Sequence, residues 1–152
     1  MKAASIPSLV AFLVLVVGGG VMIGFATLPG EWYAALQKPW FNPPNWIFGP
    51  AWTILYVLVA IAGWRTWRRR SGGTSMAIWW TQLALNFAWS PTFFGLHMVA
   101  LALVVIVALL VAAIAFMIAT RSVDGLSALL FVPYVAWLGF ATLLNAALFI
   151  LN

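Results

Sequence analysis

The chain has 152 residues, 66% of them hydrophobic and only 6% charged, with a net charge of +5. A soluble domain is about 25% charged, so this composition excludes a water-facing coat and points to the bilayer as solvent. The absence of cysteine excludes disulfides and thiolate chemistry, while one histidine and two acids are too few for a zinc site of about three or four ligands.

Apolar windows of about 20 residues predict membrane helices, and five occur in order. The first is Ile6–Leu28. Lys2 followed by an apolar run also fits a signal peptide, but the run continues past Gly18-Gly19-Gly20 and no Ala-x-Ala site follows. Gly20-x-x-x-Gly24 allows close approach of another helix. Residues 29–45 form a connector rich in tryptophan and proline. Proline stiffens it, and the flat indole faces equip it to lie over the bundle as a lid. Trp32, Trp40 and Trp46 sit in or beside this lid, where an interfacial belt and a ligand wall are both open. Lys38 is either a headgroup anchor or a charge at a pocket mouth.

The second span is Trp46–Trp64, with Trp52 and Tyr56 one turn apart on one face. It ends in Arg65, Arg68, Arg69 and Arg70. Beside Trp64 and Trp67 these read as a membrane flank and not as a nucleic-acid patch. Trp64, Trp67, Trp79 and Trp80 are expected in an interfacial belt. The third span, Met76–Phe94, places Gln82, Asn86 and Trp89 on one face. Asn86 is near midplane, where its amide must find a partner, either another helix or a ligand. Ala84-x-x-x-Ala88 offers a close contact within the chain or a dimer seam.

A tight turn at Gly95–His97 leads to the fourth span, Met98–Ala119, and Asp124 precedes the fifth, Gly125–Leu148. Pro133 is expected to kink this last helix, and Pro91 does similar work in the third. Trp137, Ala141 and Leu144 form a further stripe, with Asn145 one residue off it. A belt does not explain a tryptophan near midplane, so Trp137 is either core or ligand wall. Lys2, Arg65, Arg68, Arg69, Arg70 and Arg121 fall on one side and Lys38 on the other. The positive-inside rule then puts the amino terminus in the cytoplasm, and the two acids, Glu31 and Asp124, lie on opposite faces, unable to pair for general acid–base work. The expected architecture is one all-α domain, residues 1–152, of five membrane helices with the loop capping an apolar pocket. Such a pocket, with a few polar groups, suits a small flat hydrophobic ligand.

These residues closely resemble the translocator protein (TspO) family, also known as tryptophan-rich sensory proteins or peripheral-type benzodiazepine receptors. The matching pieces are Trp32-Tyr33, Lys38-Pro39-Trp40, Asn42-Pro43-Pro44, Trp46 through Trp52 with Leu55-Tyr56, Gln82-Leu83 with Asn86, Trp89 and Pro91, Phe93-Phe94-Gly95, and Pro133-Tyr134 with Trp137 and Leu144-Asn145. The resemblance implies a five-helix bundle, often dimeric, with a pocket below the first loop for porphyrins, haem and benzodiazepine-like ligands. Carried over by motif, the pocket residues are Trp32, Trp46, Trp52, Tyr56, Asn86, Trp89, Trp137, Ala141 and Leu144. It also implies, for some members, light-dependent oxidative breakdown of protoporphyrin, with Trp52 and Trp137 as the candidate reactive residues here. The cholesterol-associated tyrosine and base of animal members are absent from 145–152, which favours a bacterial-type member. The expectation is therefore a multi-pass membrane protein that binds tetrapyrroles for sensing, transport or sequestration. It has no intrinsic cofactor, metal or nucleic-acid partner, and it forms a homodimer.

Overall fold

A computed structural model describes residues 5–70 and 73–152. Lys2, one of the flanking cations, lies outside them. Among the described residues all regular structure is helical. The first span is α1 (Ser5–Leu13), a π-helical stretch (Val14–Gly18) and α2 (Gly19–Ala26). The lid holds a short α3 (Glu31–Ala35) and a 3-10 turn (Asn45–Ile47). The second span is α4 (Phe48–Arg70), the third α5 (Thr74–Ser90) with a π-helical turn (Pro91–Gly95), the fourth α6 (Val99–Thr120) and the fifth α7 (Gly125–Leu151).

Four of these stretches, Ile6–Ala26, Asn45–Arg70, Val99–Thr120 and Gly125–Leu151, are long and apolar enough to cross a membrane. The third is the least apolar, because it carries Gln82, Asn86, Ser90 and Thr92. Its 17-residue α-helix and five-residue π turn are still long enough, at ~1.5 Å per residue, to cross ~30 Å of hydrocarbon. The protein is an integral membrane bundle of five helices. The structure extends α4 past the expected Trp64 to Arg70. Arginine is a good helix former, and its stem can stay apolar while the head reaches water. Pro91 sits at the switch from α to π geometry, and α7 runs unbroken through Pro133.

One buried cluster joins α1, α4, α5, α6 and α7 around Val16, Val59, Trp79, Ile106, Phe116 and Phe131. A second lies under the lid around Tyr33, Phe93, Ala102 and Leu144. Apolar burial drives little between helices already in lipid, so close fit and polar contacts carry the association. Trp64 and Trp79 belong to this core and not to the expected belt. Trp79 is fully buried and its Nε1 donates to the Val59 carbonyl at 3.0 Å; the Trp64 Nε1 donates to Ser8 Oγ at 2.9 Å. Trp67 and Trp80 do face outward. The glycine pair of the first span also splits. Gly20 makes room for the Tyr56 ring, whereas Gly24 has open space beside it.

At the arginine end, buried Asp124 ties α4 to the start of α7. Arg65 donates to it through Nε at 3.0 Å and Nη2 at 2.9 Å, Ser127 Oγ donates at 2.5 Å, and Arg69 Nε lies 3.6 Å away. Burial opposes the carboxylate charge. The hydrogen bonds from Arg65 and Ser127 and the charges of Arg65 and Arg69 outweigh it, holding the carboxyl at about 2. A lowered folded value adds stability that is fully present above the ordinary 3.8 and lost as pH falls through about 2. Asp124→Asn is expected to cost about 2 kcal/mol at neutral pH, with the two melting curves converging below the lowered value. A gap that persists at that acidity would contradict this role.

Candidate ligand cavity beneath the lid

Packing of α2, α4, α5 and α7 leaves a cavity of about 530 Å³ beneath the lid, to which α6 contributes no side chain. Trp46, Trp52, Tyr56, Asn86, Trp89, Trp137, Ala141 and Leu144 all line it. The three stripes expected from helical spacing therefore converge. Trp52 and Trp137 meet edge to face at 6.3 Å, and Trp52 and Tyr56 lie 5.5 Å apart on the same face of α4. Trp89 is held in place by its Nε1, which donates to Asn145 Oδ1 at 3.0 Å, and it stacks on Phe93 at 5.3 Å. Asn145 in turn donates to the Val99 carbonyl at 3.1 Å, linking α5, α6 and α7.

Asn86 is bound to a buried chain of polar groups. Its Nδ2 donates to the Tyr134 hydroxyl at 2.7 Å, and that hydroxyl donates to Gln82 Oε1 at 2.8 Å. A hydroxyl carries one proton, so the direction is fixed: Tyr134 gives to Gln82 and receives from Asn86. Asn86 thus joins α5 to α7 and lines the cavity at once. Glue and ligand contact, the two uses open from sequence, are not exclusive. Trp137 Nε1 is buried with no acceptor among the described residues. A buried N–H left unpaired costs about 1–3 kcal/mol, so a group supplying an acceptor there gains by contrast.

Trp32 is the one expected pocket residue that the structure places elsewhere. It stacks flat on His97, with centroids 4.1 Å apart and planes 7° from parallel. Neighbouring residues on a helix point about 100° apart, and in α3 the inward position goes to Tyr33, which packs on Phe94 at 5.4 Å. His97, at φ 57°, adopts the left-handed conformation in the turn and is turned to this stack, outside the cavity lining.

Lys38 is not at the cavity mouth either. Its Nζ donates to the carbonyls of Tyr33 at 2.8 Å, Leu36 at 3.2 Å and Ala34 at 3.3 Å, closing the carboxyl end of α3, and it lies 4.7 Å above the Tyr33 ring. Trp40 is 95% exposed and serves the outer surface. The lid is also tied to the last residue: Gln37 N donates to Asn152 Oδ1 at 3.0 Å and Asn152 Nδ2 donates to the Gln37 carbonyl at 2.9 Å.

On one flank the cavity opens sideways. Val21, Gly24 and Phe25 of α2 face Trp46, Gly49 and Thr53 across it, and all six are exposed lining residues. Neither Gly24 nor Gly49 would meet an atom within 4 Å if it carried a Cβ. On the other flank Thr27 Oγ1 and Ser90 Oγ share a hydrogen bond of 2.6 Å that holds α2 to α5.

Sequence reasoning missed the first-span wall and the role of Tyr134. The exposed glycines Gly24 and Gly49 were the available signal for the wall, since glycine next to aromatic residues leaves volume. The spacing of Gln82 and Asn86 implied a shared polar partner but did not identify it.

The TspO/MBR family model matches residues 11–151. The chain is 41% identical to the tryptophan-rich protein TspO of Archaeoglobus fulgidus, over 97% of this chain and 99% of that one. It is 41% identical to the tryptophan-rich sensory protein of Cereibacter sphaeroides, over 84% of this chain and 81% of the relative. With the human translocator protein it shares 40% identity over 83% of this chain and 79% of the relative.

Proposed function

The chain belongs to the TspO/MBR family, and from that premise we propose that it is a membrane sensory or transport protein whose cavity binds porphyrin- or haem-type tetrapyrroles. The observation that carries this reading is the convergence of Trp52, Trp89 and Trp137 on one apolar space with few polar groups. Flat indole faces suit a planar aromatic ring by offset or edge-on contact, worth about 0.5–1.5 kcal/mol per pair beyond burial. Trp137 Nε1 supplies a donor that lacks an acceptor among the described residues. The cavity volume falls in the ordinary range for small-molecule sites, about 300–1,000 Å³. The side opening between α2 and α4 allows a ring larger than the enclosed space to be seated with one edge in lipid, and lets a hydrophobic ligand arrive from the bilayer.

The reading extends to orientation, origin and assembly. We place the arginine end in the cytoplasm of a bacterial-type host by the positive-inside rule. Ala84 and Ala88 are exposed on α5, so the dimer reading of that pair, and not packing within the chain, is the one we adopt.

The test is thermal stability in the presence of ligand. A molecule that binds only the folded state raises apparent stability, by about 2.7 kcal/mol at a hundredfold excess over Kd. Protoporphyrin and haem should raise the melting temperature saturably, and an unrelated tryptophan-rich membrane protein should not respond. Equal shifts in both proteins would sink the assignment.

A second reading is favoured by the edge-to-face contact of Trp52 and Trp137 inside the cavity. Light-excited porphyrin in such a site, with dioxygen as oxidant, would be degraded next to oxidisable indoles. Under illumination Trp52→Phe and Trp137→Phe should each slow product formation several-fold. Unchanged rates in both would remove these residues from the chemistry and leave binding as the sole role.

A further inference from the structure

A second concavity lies at the opposite end of the molecule from the lid. It is a groove of about 330 Å³ between the last turns of α6 and the first turns of α7. Met117 and Ala128 form its floor, Leu129 and Val132 its outer wall, and Arg121 and Gly125 its head. Ala128 is buried, while Leu129, Val132 and Arg121 are exposed. The groove exists because two small residues, Gly125 and Ala128, face it: a Cβ on Gly125 would meet nothing within 4 Å. From Gly125 to Val132 is two turns of helix, about 10 Å of depth, so the wall enters the hydrocarbon while Arg121 stays at the surface.

Charge accounting leaves two arginines, Arg70 and Arg121, without an anion or ring among the described residues, and of the two only Arg121 lines this groove. The chain has two acids. Asp124 is held by Arg65 and Arg69, and Glu31 belongs to the lid at the other end. Arg68 lies over the Trp64 ring, 4.8 Å from its centroid. Among the described residues the Arg121 guanidinium has no anion and no ring to pair with, yet it stands at the head of an apolar groove. A free anion would use only the arginine and a neutral lipid only the groove. An amphiphile with a negative head and an apolar tail uses both in the right order of depth. Guanidinium also binds phosphate with a fork of donors.

We propose that the α6–α7 groove binds one anionic phospholipid, its phosphate on Arg121 and an acyl chain over Ala128 between Met117 and Leu129. The site is distinct from the cavity beneath the lid and does not depend on what that cavity holds. Occupancy would fix the α6–α7 connector against the membrane surface.

Native mass spectrometry of the full chain, equilibrated with equal phosphatidylglycerol and phosphatidylcholine, tests this. The wild type should retain one phosphatidylglycerol in preference. Arg121→Gln should reduce that preference by about fivefold, the scale of one basic residue at an anionic surface, with Arg121→Lys between the two. Gly125→Leu, at a position where a Cβ meets nothing within 4 Å, fills the groove head and should reduce retention of the bound lipid. Arg70→Gln, an equal charge change away from the groove, should leave the preference intact. Unaltered preference in Arg121→Gln, an equal fall in Arg70→Gln, full retention in Gly125→Leu, or displacement by glycerol 3-phosphate at the same concentration would each overturn the proposal. Arg121 and Gly125 are exposed, so these variants should melt with the wild type.

Discussion

Phenylalanine in place of Ala141 is expected to weaken protoporphyrin binding by about tenfold to a hundredfold while leaving the fold intact. Ala141 lies in the cavity wall one turn from Trp137, and its side chain is the smallest in the α7 stripe. A benzyl group there must occupy ligand space or push Trp137 toward Trp52, with which it is already in edge-to-face contact. Overpacking of a filled site costs about 1–3 kcal/mol, and each 1.4 kcal/mol is a factor of ten in affinity. The free protein escapes most of that cost because the new ring enters an existing void. The penalty therefore appears in Kd and not in melting temperature. Val104→Phe on exposed α6, which lines no part of the cavity, is the matched control and should bind like wild type. Unchanged affinity in Ala141→Phe, measured by quenching of tryptophan emission, would mean that the tetrapyrrole sits elsewhere.

Gly63→Ala is expected to destabilise the bundle by about 1–3 kcal/mol. Its Cβ would fall inside the indole of fully buried Trp79, well within van der Waals contact. Two effects oppose each other. Alanine is the better helix former by about 1 kcal/mol. Against this stand about 1–3 kcal/mol of overpacking, occasionally more, and loss of the Trp79 to Val59 hydrogen bond, worth about 1 kcal/mol. Trp79 is fully buried and held by that hydrogen bond, so the clash wins. Gly139→Ala provides the contrast, because a Cβ there meets nothing within 4 Å. It should melt at or above wild type in detergent, and Gly63→Ala clearly below. Equal melting of Gly63→Ala and wild type would show that the α4–α5 contact is looser than described.

The five helices were legible because lipid imposes a length and an apolar composition on each span. The third was legible as well, although its polar residues lower its hydropathy. The cavity was legible for a different reason. Helical spacing of three and four puts Trp52 with Tyr56 and Trp137 with Ala141 and Leu144 on shared faces, and those faces do turn inward. What periodicity could not supply was the partner across the interface. Trp79 resembles a belt residue by its position near a helix end, but Gly63 opposite gives it a slot in the core. Lys38 looks available by charge, yet α3 ends with unpaired carbonyls that claim it. Trp32 and Tyr33 are adjacent in sequence, and only the pitch of α3 decides which one faces the bundle. Spacing gives the face; the neighbour decides the role.

The central claim is that a tetrapyrrole is seated among α2, α4, α5 and α7. An experimental structure of the protein with protoporphyrin bound tests it most directly. The ring should lie between Trp52 and Trp137, within reach of Asn86, with one edge toward the gap flanked by Gly24 and Gly49. Porphyrin found only on an outer, lipid-facing surface, with the space beneath the lid holding none, would contradict it.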